Sequence, residues 1–189
     1  MLTTQPSHSL RRRSFLAGGL AALALQVPVA AQETFRVILQ RGMSGGGLAQ
    51  LDGGEEPRLA NFGLFASSMQ LPEGATLVLG SLQWIEAGTD LELRSTEVTQ
   101  CIPVANRTDG AEARGRLMVN GEGDYPFVAR AYDSGPPGSA SDRIEIEVNT
   151  PAAREGAAPP SDEEYVYTVA GTLVGGDFQW VVADITVPA

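Results

Sequence analysis

Lysine is absent from the 189 residues, histidine occurs once (His8) and cysteine once (Cys101). Each scarcity removes a class of chemistry. His8 precedes an arginine cluster in what reads as a removable leader, so the mature chain would hold no histidine. That excludes a Ser–His–Asp triad, a Cys–His pair, and histidine-ligated zinc, copper or haem. A lone cysteine forms no internal disulfide and no iron–sulfur site. Cys101 lies in the apolar run Val98–Val104 and reads as a small buried hydrophobe. No basic neighbour in sequence would activate its thiol.

Positive charge is also scarce. The 13 basic residues are all arginine and face 23 acids. Three of them, Arg11, Arg12 and Arg13, sit in the first 31 residues, which contain no acid. The remaining ten against 23 acids give the mature chain a net charge of −13. Such a surface repels phosphates and anionic lipid headgroups, and scattered arginines make no basic stripe. No binding of DNA or RNA is expected on that ground.

What the chain does have begins with its leader. Arg11-Arg12-Arg13-Ser14-Phe15-Leu16 matches the twin-arginine export pattern, an arginine pair followed by Phe-Leu. The apolar stretch Phe15 to Leu25 follows, then the small residues Val29-Ala30-Ala31. Cleavage is expected after Ala31, which starts the mature protein at Gln32 and places it in the periplasm or outside the cell. The apolar run is shorter than the roughly 20 residues that a helical membrane span needs. No membrane span is expected once the leader is removed.

Glycine (22) and proline (12) are abundant, which predicts many turns and therefore many strands. Strand-like runs occupy 34–40, 58–68, 76–86, 91–94, 98–104, 113–120, 125–133, 142–149, 165–173 and 178–187. Turn signals separate them, among them Ser44 to Gly47, Asp52-Gly53-Gly54, Asn120-Gly121 and Gly175-Gly176. No helical periodicity is sustained. The fold expected is a single all-β domain over 32–189, an antiparallel sandwich or barrel of about eight to ten short strands.

Two hairpins stand out. Asn120-Gly121 tolerates the positive φ of a tight turn between Arg116–Val119 and Tyr125–Val128. Gly175-Gly176 is expected to join Tyr165–Val169 to Phe178–Val182 in the same way. Pro126 predicts an edge or a bulge. The stretch 150–164 (TPAAREGAAPPSDEE) reads as an extended, exposed insertion.

Residues Gly115 to Phe127 (GRLMVNGEGDYPF), Asp133-Ser134-Gly135-Pro136-Pro137-Gly138, Asp142-Arg143-Ile144, and the closing Ala170-Gly171-Thr172-Leu173 with Gly175-Gly176 form a recurring pattern. The pattern resembles the post-COAP family of exported bacterial β domains. Trp84-Ile85-Glu86 and the 150–164 stretch depart from it. The resemblance implies an exported domain without catalytic residues. It also raises the idea of an accessory domain for an exported oxidase.

Three candidate sites follow from residue type. Asp133 and Asp142 flank a glycine-rich turn that could offer oxygen ligands to Ca²⁺, which takes about six to eight. The simpler role for both is bonding loop amides. Glu86, Asp90, Glu92, Glu97, Glu145 and Glu147 lie on or beside strands. A glycan hydrolase needs two such carboxyls facing across a cleft, whereas Glu145 and Glu147 at spacing two suit a solvated sheet face. Trp84, Trp180, Tyr165 and Tyr167 could stack sugars if exposed, but alternating aromatics more often build cores. Gly45 to Gly47 lacks the Lys and Ser/Thr of a phosphate loop.

No cofactor is expected, Ca²⁺ being the sole candidate. The leading expectation is a non-catalytic exported module that binds an envelope or extracellular protein or glycan. The alternative is a secreted carboxylate-dependent glycan hydrolase, with Ca²⁺ as an aid.

Overall fold

The computed structural model describes residues 34–71, 74–136, 141–155 and 165–188. The expected leader lies outside these residues, as do 156–164 of the expected insertion.

Eight strands are present among the described residues: β1 (Thr34–Leu51), β2 (Leu59–Gln70), β3 (Thr76–Glu86), β4 (Glu92–Pro103), β5 (Gly110–Val119), β6 (Glu122–Tyr132), β7 (Arg143–Val148) and β8 (Tyr167–Pro188). Each pairs antiparallel with its sequence neighbour, and β8 returns to β1, which closes a barrel. The all-β expectation holds, in its barrel form. No described helix is long and apolar enough to cross a membrane.

Alternation builds the interior. Along β3 the pattern places Leu82, Trp84 and Glu86 inward and Ser81, Gln83 and Ile85 outward. Phe62, Trp84, Phe127, Phe178, Leu117, Ile144 and Ile146 fill the core. Beside these large groups, Ala111, Ala113, Ala129 and Ala131 on β5 and β6 are fully buried. Alternating large and small interior residues suit a small, side-chain-filled barrel. Cys101 is buried and unbridged.

The Asn120-Gly121 hairpin forms as its sequence predicts, with φ of 54° and 80°. Asn120 also ties the turn to β4: its amide donates to Glu92 O and its Oδ1 accepts from Glu92 N, both at 2.8 Å. Pro126 lies in an interior strand rather than at an edge. Its neighbour pairing with β7 begins only at Phe127, and its carbonyl accepts from Asn149 N at 2.8 Å. The two backbone groups of one residue in an antiparallel strand point to the same side. The missing N–H therefore faces a place where the ladder has already ended.

Three expectations about glycines and strand limits are corrected. Gly175-Gly176 is not a hairpin turn, because β8 runs straight through it. Leu48 pairs with Gly175 and Ala49 with Leu173, so Val174 is an extra, bulged residue. A Cβ on Gly176, whose φ is +98°, would lie 2.0 Å from Gly46 O, so this crossing of β1 and β8 needs glycine. Likewise Ser44 to Gly47 lies inside β1 and is not a turn. The runs 91–94 and 98–104 belong to one strand, β4, which bulges between Ser95 and Glu97 and again between Val98 and Gln100.

The start of the expected extended insertion is helical. Pro151–Arg154 forms one turn, α1, whose N-cap Thr150 accepts from Ala153 N at 3.2 Å. Proline at the first helical position and threonine at the N-cap are favourable choices. The turn covers part of the outer face of β6, burying Ala153 and the outward-facing Val128.

Candidate functional site

Three parts of the barrel carry side chains capable of chemistry or recognition. The first is the turn between β6 and β7. Asp142 is buried, and both its oxygens accept from backbone amides: Oδ1 from Ser134 N at 3.0 Å and Oδ2 from Phe178 N at 2.9 Å. Leu173 N also donates to Asp142 O at 2.9 Å. Asp142 therefore fastens its own turn to β8 at the bulge. Asp133 sits nearby. Burial raises its carboxyl pKa, and the charges of Asp142 and Asp177 push it the same way. Among the described residues no group of three or more His, Cys, Asp or Glu is placed to hold a metal ion. Residues 137–140 of this turn lie outside the description.

The second part is the barrel end formed by the starts of β2, β4, β6 and β8. Glu86 is only 3% exposed, and its carboxylate accepts from Arg58 Nη1 at 3.0 Å and from the Tyr167 hydroxyl at 3.1 Å. Tyr125, Tyr165 and Tyr167 form a chain of ring contacts beside it, with centroids 5.6 and 6.4 Å apart. Burial raises the Tyr167 pKa, and the neighbouring Glu86 charge adds to that. Trp84 is fully buried. Trp180 is half-buried against the core and donates to Thr108 O at 3.2 Å. These aromatics form core and cross-strand contacts, and Trp84 offers no stacking face to a sugar. The inward position of Glu86 went unread in the sequence, although the Leu82, Trp84 alternation that it continues was the signal for it.

The third part is the outer surface, which divides into two faces of different character. Over β5, β6 and β7 the charges are paired. Glu112 accepts from Arg114 Nε at 2.6 Å and Arg130 Nε at 2.7 Å. Arg130 also pairs with Glu147, whose other oxygen accepts from Thr150 Oγ1 at 2.7 Å. Glu145 takes Tyr132 Oη at 3.1 Å and Arg143 Nε at 3.2 Å. Glu145 and Glu147 thus share one face, as their spacing predicts, and each is occupied by an arginine.

Over β1 to β4 the outer face is different. An open groove of about 470 Å³ is lined by Ser44, Gly63, Phe65, Ser81, Gln83, Arg94 and Ser95, and among the described residues no carboxylate lines it. The register explains the hollow. Gly46, Gly63, Gln83 and Arg94 form one row across four strands, and Ser44, Phe65 and Ser81 form the next. Nothing stands above Gly63 within 4 Å of where a Cβ would be. Phe65 rises from this floor 43% exposed, and Arg94 is also exposed. The sequence offered little signal for this groove, because small residues, single polar groups and one phenylalanine on a strand have no motif.

Comparison of the chain with family models, with curated proteins and with solved structures finds no match.

Proposed function

We propose that this chain is an exported, non-catalytic β-barrel module that binds an extracellular or envelope partner, a glycan or a protein, on the outer face of β1 to β4. One observation carries the reading. The open groove on that face presents hydroxyls, an amide, a guanidinium and an exposed phenyl ring, with no acid among them. Those groups recognise; they lack the paired carboxyls that glycoside hydrolysis needs. A phenyl ring flanked by hydrogen-bonding groups is a binding surface for an amphipathic partner, because one side chain covers apolar area while its neighbours fix orientation. The export part of the reading rests on Arg11 to Leu16 and the small-residue site at Ala31.

The test is binding of soluble envelope glycans and of envelope protein extracts to the wild type, Phe65→Ala and Arg94→Ala. Retention by a defined glycan or protein, lost in both variants, supports the reading. Release of new reducing ends from any of those glycans would overturn it in favour of a hydrolase. Binding that both variants retain would move the site elsewhere.

A further inference from the structure

The barrel is closed, yet one stretch of strand edge within it is unpaired. β3 pairs with β2 along its whole length, from Thr76 to Glu86. With β4 it pairs only at Gln83, Trp84 and Ile85. Leu82 N already finds no backbone acceptor there and donates to Ser95 Oγ at 2.8 Å. Beyond that point β4 bulges, and its Val98 side chain packs over Gly80. Backbone groups of alternate residues point to the same side of a strand. The amides and carbonyls of Thr76, Val78 and Gly80 therefore face the β4 side, as Leu82 does, and make no ladder pair there among the described residues. The corresponding edge of β8 is treated differently: Asp142 takes the amides of Leu173 and Phe178.

Apart from Val98 at Gly80, this edge lacks the usual protection. Native edges carry charge, proline or a covering loop. From Gly74 to Gln83 there is no charged residue, in a chain whose net charge is −10. Leu77 and Leu79 lie on the outward face of the same stretch, 42% and 47% exposed.

We propose that two copies of this chain join edge to edge through β3, antiparallel about a twofold axis at Val78. A twofold axis makes a surface contact itself, so the patch must be self-complementary. This one is. With Val78 facing Val78 of the second copy, Thr76 faces the other copy's Gly80, and the unpaired amides and carbonyls of all three residues find partners. In that register Leu77 of each copy stands directly across from Leu79 of the other on the outer face. Cross-strand pairs of this kind stabilise a sheet. A second copy also fits the charge better than a stranger would. Two acidic molecules can approach where neither carries charge, and the uncharged run is that place. The contact is small beside a standard interface, so the dimer is weak and depends on concentration.

Sedimentation velocity across a concentration series tests this, on the wild type, Leu77→Lys, Leu79→Lys and Ile85→Lys. Ile85 is equally outward and exposed but lies within the stretch that β4 covers. The expected result is a dimer at high concentration that both leucine variants abolish and Ile85→Lys retains. A wild type that stays monomeric overturns the proposal. So does a dimer that survives both leucine variants, or one that Ile85→Lys abolishes as well. Should the leucine variants fail to fold, amide exchange on the wild type decides. The Val78 and Gly80 amides gain protection as concentration rises if the edge pairs, and stay unprotected if it does not.

Discussion

Phe178 packs against Gly45, its cross-strand partner between β8 and β1, so closely that a Cβ at position 45 would lie 2.3 Å from the ring's Cδ1 and 2.5 Å from Asp177 O. The ring also meets Phe62 at 5.2 Å, so it cannot move aside freely. Overpacking of this kind costs roughly 1–3 kcal/mol. Gly45→Ala should fall at or above the upper end, since the second clash is with backbone. Gly63→Ala is the control: the space there is open, and its stability should stay within about 0.5 kcal/mol of wild type. Urea melts of both variants measure this.

Asp142 holds two backbone amides with one carboxylate. Asp142→Asn replaces one acceptor oxygen by a donor facing another donor, in a buried place. The expected loss is about 1–3 kcal/mol, the cost of unsatisfied buried groups. Thermal melts with EDTA and then with Ca²⁺ separate this role from metal binding. A native-state ligand raises stability by RT ln(1 + [L]/Kd). A Ca²⁺-dependent rise in Tm that Asp142→Asn abolishes would assign a metal to the turn.

Asp133 behaves in the opposite sense. Its folded pKa is raised, first by burial and then by Asp142 and Asp177. Ionisation is therefore disfavoured in the fold, and the native state keeps its proton more tightly than the unfolded chain. Stability is lost as pH rises from the unfolded value, about 3.9, through the folded one. Asp133→Asn should raise Tm at neutral pH and lose that advantage below the unfolded value. An equal gain at every pH would contradict the electrostatic cause.

At alkaline pH the tyrosines should limit stability. Burial and nearby carboxylates raise the pKa of Tyr132 and Tyr167, and burial followed by the Glu86 charge raises that of Tyr165. Unfolding frees them to ionise at about pH 10, so the unfolded state sheds protons first and stability falls as pH climbs past that point. Ultraviolet titration should show a late fraction of phenolate that merges with the early one in urea. Glu86→Gln should bring part of the late fraction earlier.

Acid exposes the paired outer face. Burial works against the Glu147 charge, but bonds from Arg130 and Thr150 outweigh it and hold its pKa below the ordinary value. A depressed carboxyl contributes stability that is present above the unfolded pKa and is lost as pH falls through the folded one. Glu147→Gln should flatten that acid limb of a stability–pH curve while leaving the alkaline limb unchanged.

The strands were readable wherever one face is wet and the other dry. β2, β3, β5, β6 and β7 lie close to their sequence boundaries because alternation there is clean. Two of the errors share one cause. Ser44–Gly47 and Gly175-Gly176 carry glycines, which a sequence presents as turn residues. Here they let two long strands touch backbone to backbone, an arrangement made by residues far apart in the chain. β4 was split for a related reason: its bulges at Ser95 and Val98 break the period of two without breaking the strand. Of the candidate site residues, Asp133 and Asp142 were legible as neighbours because a short turn joins their strands. The outer groove was not, since its members come from four strands and meet only through register.

The closing seam has a consequence for how the protein is made. Thr34 pairs with Pro188, and the ladder between β1 and β8 runs on to Leu51 and Gly171. A ribosome releases β1 early, and that strand must wait with one side bare until β8 emerges. Contacts so distant in sequence form late and slowly. Completion of the barrel therefore waits for the strand made last of the eight, and β1 keeps one side bare until β8 arrives.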